Sequence, residues 1–270
     1  MSTGALSLPL RWPGGRAVGA VIVAVIGLFA ALGPLLVPGD PFAQSLVKSL
    51  AGPEAGAPFG HDHLGRSLWH RLAHALRLSP LIALAAVATA AAAGLILGTL
   101  AAALGGWAER ALVILSDALM ALPGLLLVLI VLAIMPGTAL GFWAGLSLVL
   151  WVEFFRLTRA TVRATLASPA VQAARLLGFG RAYVFRTHLW PEMAPLMLTT
   201  AAFGTATAIM GIAALGFVSV GMRAPTPELG LMMVELLPYW REAPMALLTP
   251  VLATFALLLG LTLLAGGQKP

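Results

Sequence analysis

Between two long apolar runs the chain reads Ala167-Ser-Pro-Ala-Val-Gln-Ala-Ala-Arg-Leu-Leu-Gly-Phe-Gly180, followed shortly by Thr187-His-Leu-Trp-Pro191. Ser168 can accept an N–H at a helix start, Pro169 suits the first helical position, and Gly178 suits the left-handed residue that ends a helix. The spacing predicts a short helix over Pro169 to Leu177. Val171, Leu176 and Leu177 leave it with apolar surface inside a polar segment, and such surface marks a contact site.

A second constellation is Gly60-His-Asp-His-Leu-Gly-Arg66. Asp62 and Arg66 are four apart, so either they pair at the surface, worth about 0.3 to 0.5 kcal/mol on a helix, or the segment has a specific role. His61, His63, His70 and His74 fall nearby, and His70 with His74 has the i,i+4 spacing that can bring two imidazoles to one metal. A solvated loop accounts for all four histidines as well. Asp117 lies within an apolar run, where a carboxylate near the bilayer centre costs about 2.5 to 3.5 kcal/mol, so it is expected to face the bundle interior. A hydrogen bond between helices, or a position near the interface, is the alternative. Glu153 is expected near a helix end, reaching the headgroups.

These residues leave little room for catalysis. The chain has no cysteine, which removes disulfides, thiolate metal sites and cysteine nucleophiles. Lys48 and Lys269 are its only lysines, and neither follows the Gly-x-x-x-x-Gly pattern that cradles phosphates, so ATP hydrolysis would have to come from another subunit. An intramembrane protease or lipid transferase would need Ser with His, or paired carboxylates, at one depth, and no span pairs Ser with His. A passive channel or a structural subunit stays open as a further class.

The elements that position these residues are apolar helices. The chain is 60% hydrophobic and 10% charged, with a mean hydropathy of +0.97, against roughly a quarter charged in soluble domains. Crossing a hydrocarbon layer of about 30 Å takes roughly 20 apolar residues. Spans are expected at Ala17–Val37, an uncleaved anchor with a cleaved signal as the alternative, and at Leu81–Leu104. The apolar stretch Ala111–Val152 would be about 63 Å long as one helix, so it must turn back, and Pro136-Gly137 is the natural turn. That gives Ala111–Met135, kinked at Pro123, and Thr138–Phe155. Met193–Val220 and Met245–Ala265 complete six spans in one all-α polytopic domain over residues 1–270.

Alternating sides places ten Lys and Arg, among them Arg110, Arg156, Arg159, Arg163, Arg175, Arg181 and Arg186, on the side of both termini, and six on the other. The richer side is expected to be cytoplasmic. The segment 156–192 is then a cytoplasmic loop, and 38–80 and 221–244 face outward. The formal charge of +6 does not read as a nucleic-acid surface, because the arginines sit between apolar runs and form no basic face with aromatics.

The motif Gln172-Ala173-Ala174, then Gly178, then Trp190-Pro191 resembles the cytoplasmic loop of permeases of ATP-binding-cassette importers, whose pattern is Glu-Ala-Ala, three residues, Gly, then Leu-Pro. Gln172 and Trp190 replace the usual Glu and Leu. More of the chain, roughly 15–265, is similar to the second permease of dipeptide, oligopeptide and nickel importers. The matches are Gly60, Asp62, Gly65 and Arg66 before the second span, Asp117 with Ala121-Leu122-Pro123, Arg156 with Arg159, and Gly221 to Gly230. The family's Gly-Asp-rich and Arg-Asp-rich tail has no counterpart in Gly266-Gly-Gln-Lys-Pro270. The resemblance implies a multi-pass protein of the cell inner membrane, with no cofactor of its own. ATP would be bound by two ATPase subunits, onto which the coupling residues Gln172, Ala173, Ala174, Arg175, Gly178 and Pro191 dock. It further implies a second permease subunit, an extracytoplasmic solute-binding protein, surrounding lipid, and as cargo a di- or oligopeptide, nickel, or a metal–metallophore complex.

Overall fold

The computed structural model describes residues 14–218 and 220–266; Arg11 and Lys269, counted above in the charge asymmetry, lie outside them. Among the described residues the chain is helical, with only isolated bridges in place of strands. Five helices or continuous helical stretches are long and apolar enough to cross a membrane: α1 (Gly15–Leu36), α2 (Leu68–Leu104), α5 (Ala139–Leu166), Arg181–Phe217 and α10 (Pro244–Ala265). The stretch Arg181–Phe217 begins as α7 (Arg181–Val184), passes a π turn at Phe185–Leu189 and continues as α8 (Trp190–Phe217).

The sixth crossing is broken. α3 (Gly106–Met120) and α4 (Gly124–Ile134) meet at 88°, so Pro123 does not kink a continuous helix as expected but separates two. The pair still traverses the bundle along α5. Glu109, near the start of α3, is bonded to Arg159 and Arg163 near the end of α5. In α4, a Cβ at Gly124 would lie 3.0 Å from Val149, Val128 packs on Gly145 and Leu132 on Gly141, stepping steadily towards the start of α5. Six crossings in an all-α bundle follow, and Pro136-Gly137 makes the turn into α5.

Three boundaries differ from expectation. The loop expected to face outward ends at Ser67 instead of Pro80: Leu68, Leu72 and Leu76 recur at helical spacing and are buried, and Pro80 is tolerated inside a helix of 37 residues. At about 1.5 Å per residue this helix outruns the hydrocarbon layer, so its polar first third stands beyond the membrane. At the other face α5 runs to Leu166, which puts Arg156, Arg159 and Arg163 on a helix, not in a loop. The segment 221–244 also contains a helix, α9 (Leu229–Leu236), which packs on α8 and α10.

The bundle is held by close approach of small residues, as in lipid, where apolar burial between helices adds little. A Cβ at Gly98 would lie 2.8 Å from the Phe155 carbonyl oxygen and from Thr158 on α5, and one at Gly94 would lie 2.7 Å from the Phe155 nitrogen. Gly19 and Gly260 play the same part between α1 and α10. Replacing Gly98 by leucine is expected to push α2 off α5 at a cost of about 1 to 3 kcal/mol or more. Thermal denaturation of the purified protein in detergent checks this, against Gly27→Leu, where nothing lies within 4 Å of the added carbon.

Candidate functional site: a docking helix and a buried charge network

At the end of α5 the chain turns into α6 (Pro169–Leu176). The Ser168 side chain accepts an N–H from Val171, Pro169 is at the helix start, and Gly178 follows the C-terminus at φ +84°, the left-handed conformation that favours glycine. Val171 and Ala174 are buried against the bundle. Gln172, Ala173, Arg175, Gly178 and Pro191 are all exposed. Leu176 and Leu177 are 90% and 77% exposed, and Phe179 and Tyr183 stack beside them with ring centroids 4.2 Å apart. The result is an apolar, aromatic knob on a short capped helix. Gln172 donates its amide N–H to the Ala167 carbonyl at 3.1 Å. Thr165 on α5 hydrogen-bonds to Glu192 at the start of α8, closing the loop at its base.

The segment around Asp62 and Arg66 is not a surface turn. Both side chains are 1% exposed, Arg66 Nε donates to Asp62 Oδ2 at 2.6 Å, and Asp62 Oδ1 accepts from the backbone of Leu64 and Arg66. Two residues with no earlier assignment complete the network. Arg66 and Arg71 both donate to Glu235 Oε2, at 2.8 and 2.7 Å, and Arg71 also faces Asp62 at 3.4 Å. Two carboxylates and two guanidiniums thus form a charge-balanced, largely buried quartet tying Asp62 and Arg66, before α2, and Arg71, in its first turn, to Glu235 of α9. Gly65 and Gly60 hold φ +71° and +76°, and a Cβ at Gly60 would lie 2.7 Å from the Ala51 carbonyl oxygen, so glycine is required for the turn to close.

Next to the quartet, Glu228 is fully buried, caps α9 by accepting from Gly230 and Leu231, and accepts from Ser79 of α2. Burial pushes its carboxyl above the usual carboxylate range, against the pull of those hydrogen bonds. At the loop surface, the Lys48 hydrogen bond holds Glu54 below that range.

The histidines are not a solvated cluster. His61 and His70 are buried, His70 Nε2 is bonded to the Val37 carbonyl, His63 stacks on Tyr239, and His74 packs edge-on against Phe42. His70 and His74 are therefore each engaged in packing, and no group of three metal-binding side chains occurs among the described residues. Asp117 does not face the bundle interior: it is exposed on α3, four residues before the break. Glu153 is mid-helix on α5 rather than at an end.

The site thus comprises a broken span, a capped helix projecting from the end of α5, and a charge network joining the chain before α2 to α9. The family model for the inner membrane component of binding-protein-dependent transport systems matches residues 94–267. The chain belongs to this family. It is 33% identical to the di/tripeptide transport system permease protein of Pseudomonas aeruginosa over 94% of this chain and 86% of that one. Against the dipeptide transport system permease protein of Alkalihalophilus pseudofirmus it is 29% identical over 93% and 83%. Against the nickel transport system permease protein of Escherichia coli K12 it is 29% identical over 87% and 85%. The chain is thus a multi-pass permease of a binding-protein-dependent importer, working with other transporter subunits.

Proposed function

We propose that this permease carries short peptides across the inner membrane, driven by ATP that is bound and hydrolysed on separate subunits. The similarity to a di/tripeptide permease along nearly the whole chain carries this reading. A nickel or metal–metallophore cargo is the second reading, supported by the similar nickel permease. The working assembly pairs this chain, a single permease domain with both termini in the cytoplasm, with a second permease, two ATPase subunits and an external solute-binding protein. Closure of the ATPases on ATP moves α6 with its exposed Leu176 and Leu177, and α6 passes that motion through Val171 and Ala174 to α5. The bundle then switches between inward- and outward-open states about a central path.

Uptake of radiolabelled dipeptide and of radiolabelled nickel, with and without added metallophore, in cells carrying or lacking the gene tests this. Deletion is expected to abolish dipeptide uptake, and the intact gene but not a Gly178→Trp variant should restore it. Loss of nickel uptake alone would move the cargo to the second reading. No change in either would remove both.

A further inference from the structure

Phe154, Phe155, Thr158, Val162 and Thr165 of α5 are buried against the bundle. On another face, Glu153, Arg156, Arg159 and Arg163 follow one another at intervals of three, three and four residues, a single line along the helix. Beside Glu153 and Arg156 the line borders a cavity of about 480 Å³, whose other walls include Leu119, Met120 and Leu122 at the elbow between α3 and α4. Further along, Arg159 and Arg163 border a second cavity of about 470 Å³ with Glu109 and Arg110. The polar line therefore continues from mid-helix to the end that carries α6.

Glu153 is about 21 Å along α5 from its start, at about 1.5 Å per residue, less than the roughly 30 Å thickness of a hydrocarbon layer. No side chain among the described residues ion-pairs or hydrogen-bonds with it, and the Arg156 side chain hydrogen-bonds there only to Met120 Sδ, at 2.8 Å. Charges left open at that depth are not tolerated against lipid tails, so this face is turned away from lipid, towards water or a second subunit. The two side chains are opposite in sign, one helical turn apart, and not bonded to each other. Their Cβ atoms are about 5 to 6 Å apart at this spacing, and both side chains are long enough to reach the two ends of a chain of two residues, roughly 7 Å when extended. A carboxylate suits an ammonium group, and a guanidinium suits a carboxylate held two-pronged. A bare divalent cation is a poor fit, because one carboxylate supplies too few ligands and the neighbouring guanidinium repels it.

We propose that this groove is a transit site for zwitterionic short peptides, Glu153 receiving the terminal ammonium and Arg156 the terminal carboxylate. The inference rests on the peptide reading above and adds to it a specificity site within the permease itself. The test uses the complete permease–ATPase complex in lipid nanodiscs without the soluble binding protein, so that selectivity of the latter cannot enter. Saturation-transfer NMR compares binding of dialanine, N-acetyl-dialanine and dialanine amide. Glu153→Gln is expected to weaken dialanine and the amide about tenfold and to spare the acetylated peptide, since a hydrogen bond to a charged group is lost. Arg156→Gln should weaken dialanine and the acetylated peptide by a similar factor and spare the amide. Misfolding would lower all three together and cannot give the crossed pattern. Equal losses, no losses, or a wild-type complex that binds none of the three overturns the proposal. If peptide uptake in cells is nonetheless intact, only this inference falls and the peptide reading stands.

Discussion

Replacing Leu176 and Leu177 together by aspartate is expected to abolish transport while leaving the permease folded in the membrane. Both side chains are almost fully exposed, so neither supports the fold of this chain. Buried in a groove of an ATPase subunit, each would contribute about 1.5 to 3 kcal/mol, and the charges would add a desolvation cost. An affinity loss of a hundredfold or more follows, at about 1.4 kcal/mol per factor of ten. Co-purification of the ATPase subunits with tagged permease, and ATP hydrolysis stimulated by loaded binding protein, should both disappear. The same pair of substitutions at Leu46 and Val47, similarly exposed in the segment between α1 and α2, provides the comparison for general effects of added charge. Retained co-purification in the Leu176/Leu177 variant would show that α6 is not the docking element.

That α6 could be read from sequence while other elements could not has a physical cause. Caps are local: Ser168, Pro169 and Gly178 each act on backbone within a turn, and the structure places a helix within one residue of the expected Pro169–Leu177. The quartet is not local. Arg66 and Glu235 are 169 residues apart, and nothing near either names the other, so the sequence leaves Asp62 and Arg66 open between a surface pair and a specific role. Arg71 carried a weak signal, since it lies within the Leu68, Leu72, Leu76 periodicity, but Pro80 drew the boundary away from it. Glu228 carried a similar one, an acceptor placed just before the apolar run Leu229–Val234, where a helix N-cap belongs. The α3–α4 elbow was signalled by Pro123, but proline, through its lost N–H, fixed φ and ring clash, specifies a break and not its angle; α4 packs along the first half of α5 at 88° to α3.

The quartet makes a prediction that separates charge balance from simple loss of contacts. Arg66→Met leaves the carboxylates of Asp62 and Glu235 with Arg71 alone, and breaking a buried ion pair from one side costs about 3 to 5 kcal/mol. Adding Asp62→Asn restores neutrality around the Arg71–Glu235 pair. The new amide oxygen can still accept from the Leu64 and Arg66 backbone, the contacts that shape the turn in the native protein. The double variant is therefore expected to be more stable than Arg66→Met alone, by about 1 to 3 kcal/mol, although it has lost more polar groups. Thermal denaturation of the purified protein, with each single variant measured alongside, gives the coupling directly. Additive losses would mean that the four groups act as separate surface pairs. A rescue would mean that the turn before α2 and α9 are joined through a compensated charge cluster, which no single pair of residues along the chain could have signalled.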